Sequence, residues 1–275
     1  MVFSVFVDNK SFEVLRLYWE KSVLASRIYS ALERTGLEGS FLPIVIVGRS
    51  GWGKTSYAYY ALKTGIIRML CYNHGIFDLG RCVETLESKM GELCMCKYCE
   101  KPDFVDNEYK WAFYTGITDL ERLIRDIPKL IIEDGVKKRV LFLDDLVTKS
   151  VYVLGGKWRR AYMSFREFTR IARLGASVVI MTATSPTLIP DFMKHGSEYI
   201  TVRKHGNFFV YARFAKITIP RENGTYTNAL SKMYEDVIPI KAIFGLPKWL
   251  ENEINERKKQ LARDLVSFAL GGEDA

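Results

Sequence analysis

The residues best suited to chemistry stand in one run, FLPIVIVGRSGWGKTS, from Phe41 to Ser56. Four β-branched residues, Ile44 to Val47, lead into Gly48, Arg49, Ser50, Gly51, Trp52, Gly53, Lys54, Thr55 and Ser56. The spacing is G-x-x-x-x-G-K-[ST], and each position has a physical reason. A strand must stop, and the backbone must curl so that successive N–H groups point inward. A helix must then begin with its positive dipole end beneath them. Glycine permits the curl without a Cβ clash. A lysine at the place of Lys54 can reach phosphate oxygens as a point charge, and the Thr55 hydroxyl can ligand Mg²⁺.

A second chemical run is RVLFLDDL, Arg139 to Leu146, an apolar strand closing on Asp144 and Asp145. The first acid, at the strand's end, can hold the water shell of a Mg²⁺ ion. The second can polarise an attacking water. A third strand, ASVVIMTA, runs from Ala176 to Ala183 into the hydroxyls Thr182, Thr184 and Ser185 before Pro186. Strand ends of a parallel sheet gather at the ligand crevice, so a hydroxyl at this tip can touch a terminal phosphate or the attacking water. Thr184 is the first choice for that role; capping of the next turn is the alternative.

The five cysteines are Cys71, Cys82, Cys94, Cys96 and Cys99. Cys71 with His74 has C-x₂-H spacing and Cys96 with Cys99 has C-x₂-C spacing, so these four could grip one tetrahedral Zn²⁺. Buried core thiols and a disulfide or redox role are the other readings. An odd count, mostly clustered, does not resemble a secreted disulfide framework.

These groups need elements to position them. The 275 residues, 48% apolar and 26% charged, suffice for one or two domains. No apolar run is long enough to span a bilayer and none has the form of a secretory signal, so a cytoplasmic, soluble protein without a membrane partner is expected. Phe12 to Arg34 carries Leu17, Leu24, Ile28 and Leu32 on one helical face, a helix packed beside the core. A helix from the loop should run to about Lys63, with Gly65 closing it. Lys110 to Thr115 reads as a strand and Asp119 to Ile132 as a helix. Tyr199 to Arg203 and Phe208 to Phe214 read as a hairpin across His205, Gly206 and Asn207. Lys248 to Leu270 closes the chain as an amphipathic helix. The expected divisions are 1–40, an N-terminal helical segment; 41–220, the core with an insert at about 67–107; and 221–275, a helical C-terminal segment.

Charge is unevenly placed. Between Val151 and Lys216, eleven Lys or Arg stand against three acids, an excess equal to the net +8 of the whole chain. Such a stretch suits a polyanion, with DNA the favoured partner, or is a solvated basic face. On the helical stretch Trp158 to Leu174, Arg159, Arg166, Arg170 and Arg173 share a face that could contact phosphate, a neighbour's nucleotide, or water alone.

Strand, phosphate loop, helix, strand, helix, strand with Asp-Asp, helix and polar-tipped strand, from Phe41 to Thr184, is an order that resembles the additional-strand P-loop ATPases, and among them the AAA+ group. WAFYTGITDLERLI, RVLFLDDL and VVIMTATSPTLIP are similar to the second strand and helix, Walker B and sensor-1 strands of replication initiators and helicase loaders. The chain also resembles small ATPases of archaeal spindle-shaped viruses and their plasmids. The resemblance implies an α/β, three-layer P-loop NTPase with a parallel central sheet. It implies ATP and Mg²⁺ as ligands, with Lys54 on phosphate, Thr55 and Asp144 on the metal, Asp145 activating water and Thr184 sensing the γ-phosphate. Asp145 stands where many members have glutamate, and Thr184 where many have asparagine. An arginine in trans, for which Arg173, Arg203 and Arg213 are candidates, implies a homo-oligomer with ATP bound. The hairpin after Tyr199 is more similar to FtsK/HerA-type DNA pumps. Three readings follow: an initiator- or loader-like ATPase of a mobile element, a DNA translocase or packaging motor, and a non-hydrolysing ATP-bound switch.

Overall fold

The structure is a computed structural model that describes residues 9–34, 41–73, 75–82, 111–115, 140–144, 163–164, 167, 176–185, 197–205, 209–218, 229–239, 246 and 248–269. Its centre is a seven-stranded sheet. The strands are β1 (Leu42–Val47), β2 (Trp111–Thr115), β3 (Val140–Asp144), β4 (Val178–Ala183), β5 (Glu198–His205), β6 (Phe209–Thr218) and β7 (Ala229–Pro239). Their spatial order is β2-β3-β4-β1-β5-β6-β7. The first five are parallel, and β6 and β7 continue the sheet antiparallel. β4 thus lies between the strand that feeds the loop and the strand that ends in acid, as an additional strand should. The fold is the three-layer α/β P-loop fold with a parallel central sheet.

Burial follows the strand period. Ile44, Ile46, Val140, Phe142, Val178, Ile180, Ile200 and Val202 form one core cluster with Tyr57, Ala58 and Leu62 of the helix after the loop. Val45, Val47, Leu141, Leu143, Val179, Met181 and Tyr199, of opposite parity, are buried as well. Both faces of the sheet are therefore covered, which is why these strands read as unbroken apolar runs.

Four helices are described: α1 (Asn9–Lys21), α2 (Val23–Glu33), α3 (Lys54–Asn73) and α4 (Lys248–Ala269). Among the described residues no helix is long and apolar enough to cross a membrane. Where a single helix was expected over Phe12 to Arg34, the chain breaks at Ser22, whose backbone is extended and whose side chain accepts from Ala25 N at 3.1 Å. The break is set by a residue far away in sequence. Asp236 of β7 accepts from Ser22 Oγ at 2.7 Å, Val23 N at 2.7 Å and Leu24 N at 3.4 Å. A carboxylate at a helix N-terminus satisfies orphan N–H groups and meets the positive end of the dipole. Tyr57 of α3 donates to the same carboxylate at 2.8 Å.

α3 itself runs ten residues beyond its expected end at Lys63. Gly65 does not stop it. A Cβ there would lie 2.7 Å from Ile28 Cγ2 and 3.1 Å from the Ala25 carbonyl, so the glycine permits α2 to lie against α3. Arg68 reinforces that contact by donating to Ser26 Oγ at 2.6 Å and to the Trp19 carbonyl. On the sheet side, Arg27 of α2 donates from Nε to Glu198 of β5 at 2.8 Å and pairs with its other oxygen through Nη2. Tyr234 of β7 donates to Glu198 at 2.9 Å.

The expected hairpin is present as β5 and β6, paired from Glu198↔Lys216 to His205↔Phe209. β7 has no counterpart in the sequence reading, which gives 221–275 as helical; α4 supplies that helix. The helices expected over Asp119–Ile132 and most of Trp158–Leu174, and the part of the expected insert from 83 to 107, lie outside the described residues.

Burial raises the Asp236 carboxyl above its ordinary range, against the lowering pull of the Ser22, Val23, Tyr57 and Leu24 donors. The folded chain therefore holds this proton at pH values where the unfolded chain has released it. The proton-linked part of its contribution to stability is present in acid and falls as pH rises through the folded value, while the four donors still have their acceptor. Asp236→Ala strands four donors and uncaps α2; at neutral pH it is expected to cost about 2–4 kcal/mol in denaturant unfolding. A change below about 0.5 kcal/mol would show that the carboxylate is not a structural hub.

Candidate functional site

The loop is built by the strand ends around it. β1 ends at Val47, paired with Ala183 on one side and Thr201 on the other. Gly48 N donates to the Ala183 carbonyl at 3.2 Å, tying the loop's first residue to the tip of β4. On the opposite side a Cβ at Gly48 would come within 2.7 Å of the Val202 carbonyl of β5, so only glycine fits. The chain then turns over Arg49–Trp52, closed by Trp52 N donating to Arg49 O at 3.2 Å. Gly51 and Gly53 have φ of 75° and 79°, the left-handed region that favours glycine.

α3 begins at Lys54, and Tyr57 N donates to the Gly53 carbonyl at 2.8 Å as the first helical bond. The N–H groups of Lys54, Thr55 and Ser56 come before it, at the positive end of the helix. Lys54 and Ser56 are buried, whereas Arg49, Ser50 and Gly51 are exposed at the rim. The arrangement is a cradle of donors with one cation at its base, suited to an anion of several phosphates.

Beside the cradle lies Asp144, 1% exposed at the end of β3. Its Oδ1 accepts from Thr55 Oγ1 at 2.6 Å and from Thr182 Oγ1 at 2.7 Å. Parallel register accounts for the second bond, because Asp144 pairs with Thr182 and same-register residues of neighbouring parallel strands share a face. That face is the one α3 covers, which brings Thr55 to the same oxygen. The donor set is entirely oxygen, the chemistry that suits Mg²⁺. Thr55 and Asp144 would hold the ion, directly or through its water shell.

Of the residues singled out in the sequence, Gly48 to Ser56 form the cradle and Asp144 joins Thr55. Asp145 lies outside the described residues. Thr184 is exposed just past the end of β4, and the hydroxyl that reaches Asp144 belongs to Thr182. The signal for Thr182 was present in the strands: aligning Val140 with Val178 places it opposite the acid. Arg203 is exposed near the end of β5; Arg213 is on β6, with its side chain outside the described residues, as is Arg173.

Of the Zn²⁺ set Cys71, His74, Cys96 and Cys99, Cys71 alone lies among the described residues. α3 continues to Asn73, the chain turns at Gly75, and a helical turn at 79–82 returns Cys82 to Cys71, where the two form a disulfide across Cα atoms 5.6 Å apart. A sulfur in that bond is not a thiolate ligand. His74, Cys96 and Cys99 lie outside the described residues, and among the described residues no cluster of His, Cys, Asp or Glu could hold a metal.

No protein-family model matches this sequence, and no curated protein does. Among solved structures, it is similar to the N-terminal domain of zonular occludens toxin from Neisseria meningitidis, with 12% identity and a TM-score of 0.33 over 70% of this chain and 95% of that one. It is also similar to the KaiC-like protein PH0186 from Pyrococcus horikoshii, with 14% identity and a TM-score of 0.35 over 71% of this chain and 88% of that one. Likenesses of this grade carry no argument about function, which rests on the geometry of the site.

The contact at Gly48 can be tested alone. Gly48→Ala forces a methyl group against a backbone carbonyl that cannot rotate away, and is expected to cost about 1–3 kcal/mol of stability. A melting temperature unchanged from the wild type would mean that β5 does not close on the loop as described.

Proposed function

We propose that this chain is a Mg²⁺-dependent ATPase that acts on DNA as an initiator- or loader-like protein and works as a homo-oligomer. The observation that carries the ATPase reading is the meeting of Thr55, Asp144 and Thr182 at one edge of the donor cradle. A nucleotide-binding turn needs only the cradle; a buried carboxylate held beside the helix hydroxyl adds what phosphoryl transfer requires. In this reading the backbone N–H groups of the loop orient the triphosphate and Lys54 offsets charge on its outer phosphates. Bound Mg²⁺ supplies further positive charge to the phosphate oxygens. Thr182 fixes the rotation of the Asp144 carboxylate, so that the acid meets the metal shell in one orientation. Asp145, the next residue along, takes the proton of the attacking water, and Thr184 contacts the terminal phosphate.

The DNA reading is supported by the basic stretch from Val151 to Lys216. Its exposed Arg203 and Lys204 lie at the same end of the sheet as the loop. In this reading Arg203, exposed near the end of β5, is the arginine offered to a neighbouring subunit. A second reading, a DNA translocase of FtsK/HerA type, is favoured by one observation: after β5 the sheet continues into antiparallel β6 and β7 rather than into a helical lid.

Lys54→Ala is expected to weaken ATP binding at least about a hundred-fold and to abolish turnover; unchanged affinity would overturn the ATPase reading. ATP hydrolysis measured with and without duplex DNA separates the rest. Modest stimulation with ATP-dependent assembly supports the loader, and strong stimulation with strand-displacing movement supports the translocase. A rate indifferent to any DNA removes both.

A further inference from the structure

The rim of the loop carries a pair that phosphate binding by the backbone does not use. The Arg49 guanidinium carbon lies 5.5 Å from the centroid of the Trp52 ring, a cation–π distance. The turn between them brings the side chains together. Arg49 and Trp52 are its first and fourth residues, closed by the 3.2 Å backbone bond and shaped by Gly51 at φ 75°. Trp52 is half-buried and packs on the main core cluster, so the platform is anchored. Arg49 is exposed.

The half-buried arginines of α2 and α3 spend donors within the fold. Arg27 is locked on Glu198, and Arg68 on Ser26 and the Trp19 carbonyl. Arg49 pairs with no carboxylate among the described residues. Stacking on an indole uses the face of the guanidinium and leaves its five N–H donors, which lie in its plane, pointing outward. That is the disposition suited to bidentate contact with phosphate oxygens. The need is evident as well: a triphosphate carries more negative charge than Lys54 and one divalent ion offset.

We propose that Arg49 is a phosphate-contacting residue and Trp52 its positioning residue, the guanidinium closing from the indole face onto the polyphosphate of bound ATP as a second cation beside Lys54. This rests on the ATPase reading and deepens it. The loop then holds ATP between a buried cation at its base and a stacked one at its rim. Arg49 is supplied by the same chain, unlike an arginine offered from a neighbour.

The test is titration calorimetry of the full chain with Mg²⁺–ATP, beside steady-state kinetics, for Arg49→Ala, Trp52→Leu, Trp52→Phe and Lys54→Ala. Arg49→Ala is expected to weaken ATP binding about ten-fold and to raise KM by a similar factor, with kcat within about two-fold. Trp52→Leu keeps apolar packing but removes the π face, and is expected to reproduce the Arg49→Ala affinity. Trp52→Phe restores a π face and should recover most of the loss. Wild-type affinity in Arg49→Ala, together with lost binding in Lys54→Ala, overturns this inference and leaves the ATPase reading intact. Wild-type affinity in Lys54→Ala overturns both. Failure of Trp52→Phe to recover binding that Trp52→Leu has lost overturns the positioning role. Because Arg49 is exposed, its variant tests the phosphate contact even if the Trp52 variants fold poorly.

Discussion

One oxygen, Oδ1 of Asp144, accepts from two hydroxyls that arrive on different elements, Thr55 from the start of α3 and Thr182 from β4. Much of the architecture exists to make that meeting possible. β4 must lie between β1 and β3, in register, so that Thr182 stands opposite the acid; α3 must cover the same face, so that Thr55 comes down on it. A buried carboxylate is costly unless its lone pairs are occupied, so the hydroxyls both stabilise the acid and orient it.

A second buried carboxylate works on the same helix. Tyr57, two residues beyond Thr55, donates to Asp236 of β7, so the first turn of α3 is held by acids from strands on either side of β1. Asp236 also caps α2, which packs along α3 through the close approach at Gly65. The antiparallel extension is thereby tied to the phosphate loop: displacement of β7 would pull on Tyr57 and on the α2 cap together.

What was legible in the sequence was local. The cradle from Gly48 to Ser56 and the acid at the end of an apolar strand are patterns of neighbours, and the hairpin announced itself by two apolar runs around a glycine turn. What was not legible depended on residues distant in the chain. The α1–α2 break reads as continuous helix until Asp236 is brought to Ser22 by the sheet. Gly65 reads as a helix stop because its purpose, the approach of Ile28, belongs to tertiary packing. The bond from Thr182 to Asp144 depends on the register of β4 against β3, which neither strand displays alone. Cys71 fitted a metal spacing, whereas α3's extra turns and the return at Gly75 place Cys82 beside it. β7, with Lys232, Glu235 and Asp236 in its run, lacks an apolar alternation, and its pairing with β6 makes it a strand.

In the proposed reading, Thr55 and Asp144 form a metal site completed by nucleotide. Electron paramagnetic resonance with Mn²⁺ in place of Mg²⁺ reads this directly. The account predicts an immobilised Mn²⁺ signal when ATP and the wild-type chain are both present, and a signal indistinguishable from free Mn²⁺–ATP with Asp144→Ala. An identical immobilised signal in the wild type and in Asp144→Ala would contradict it.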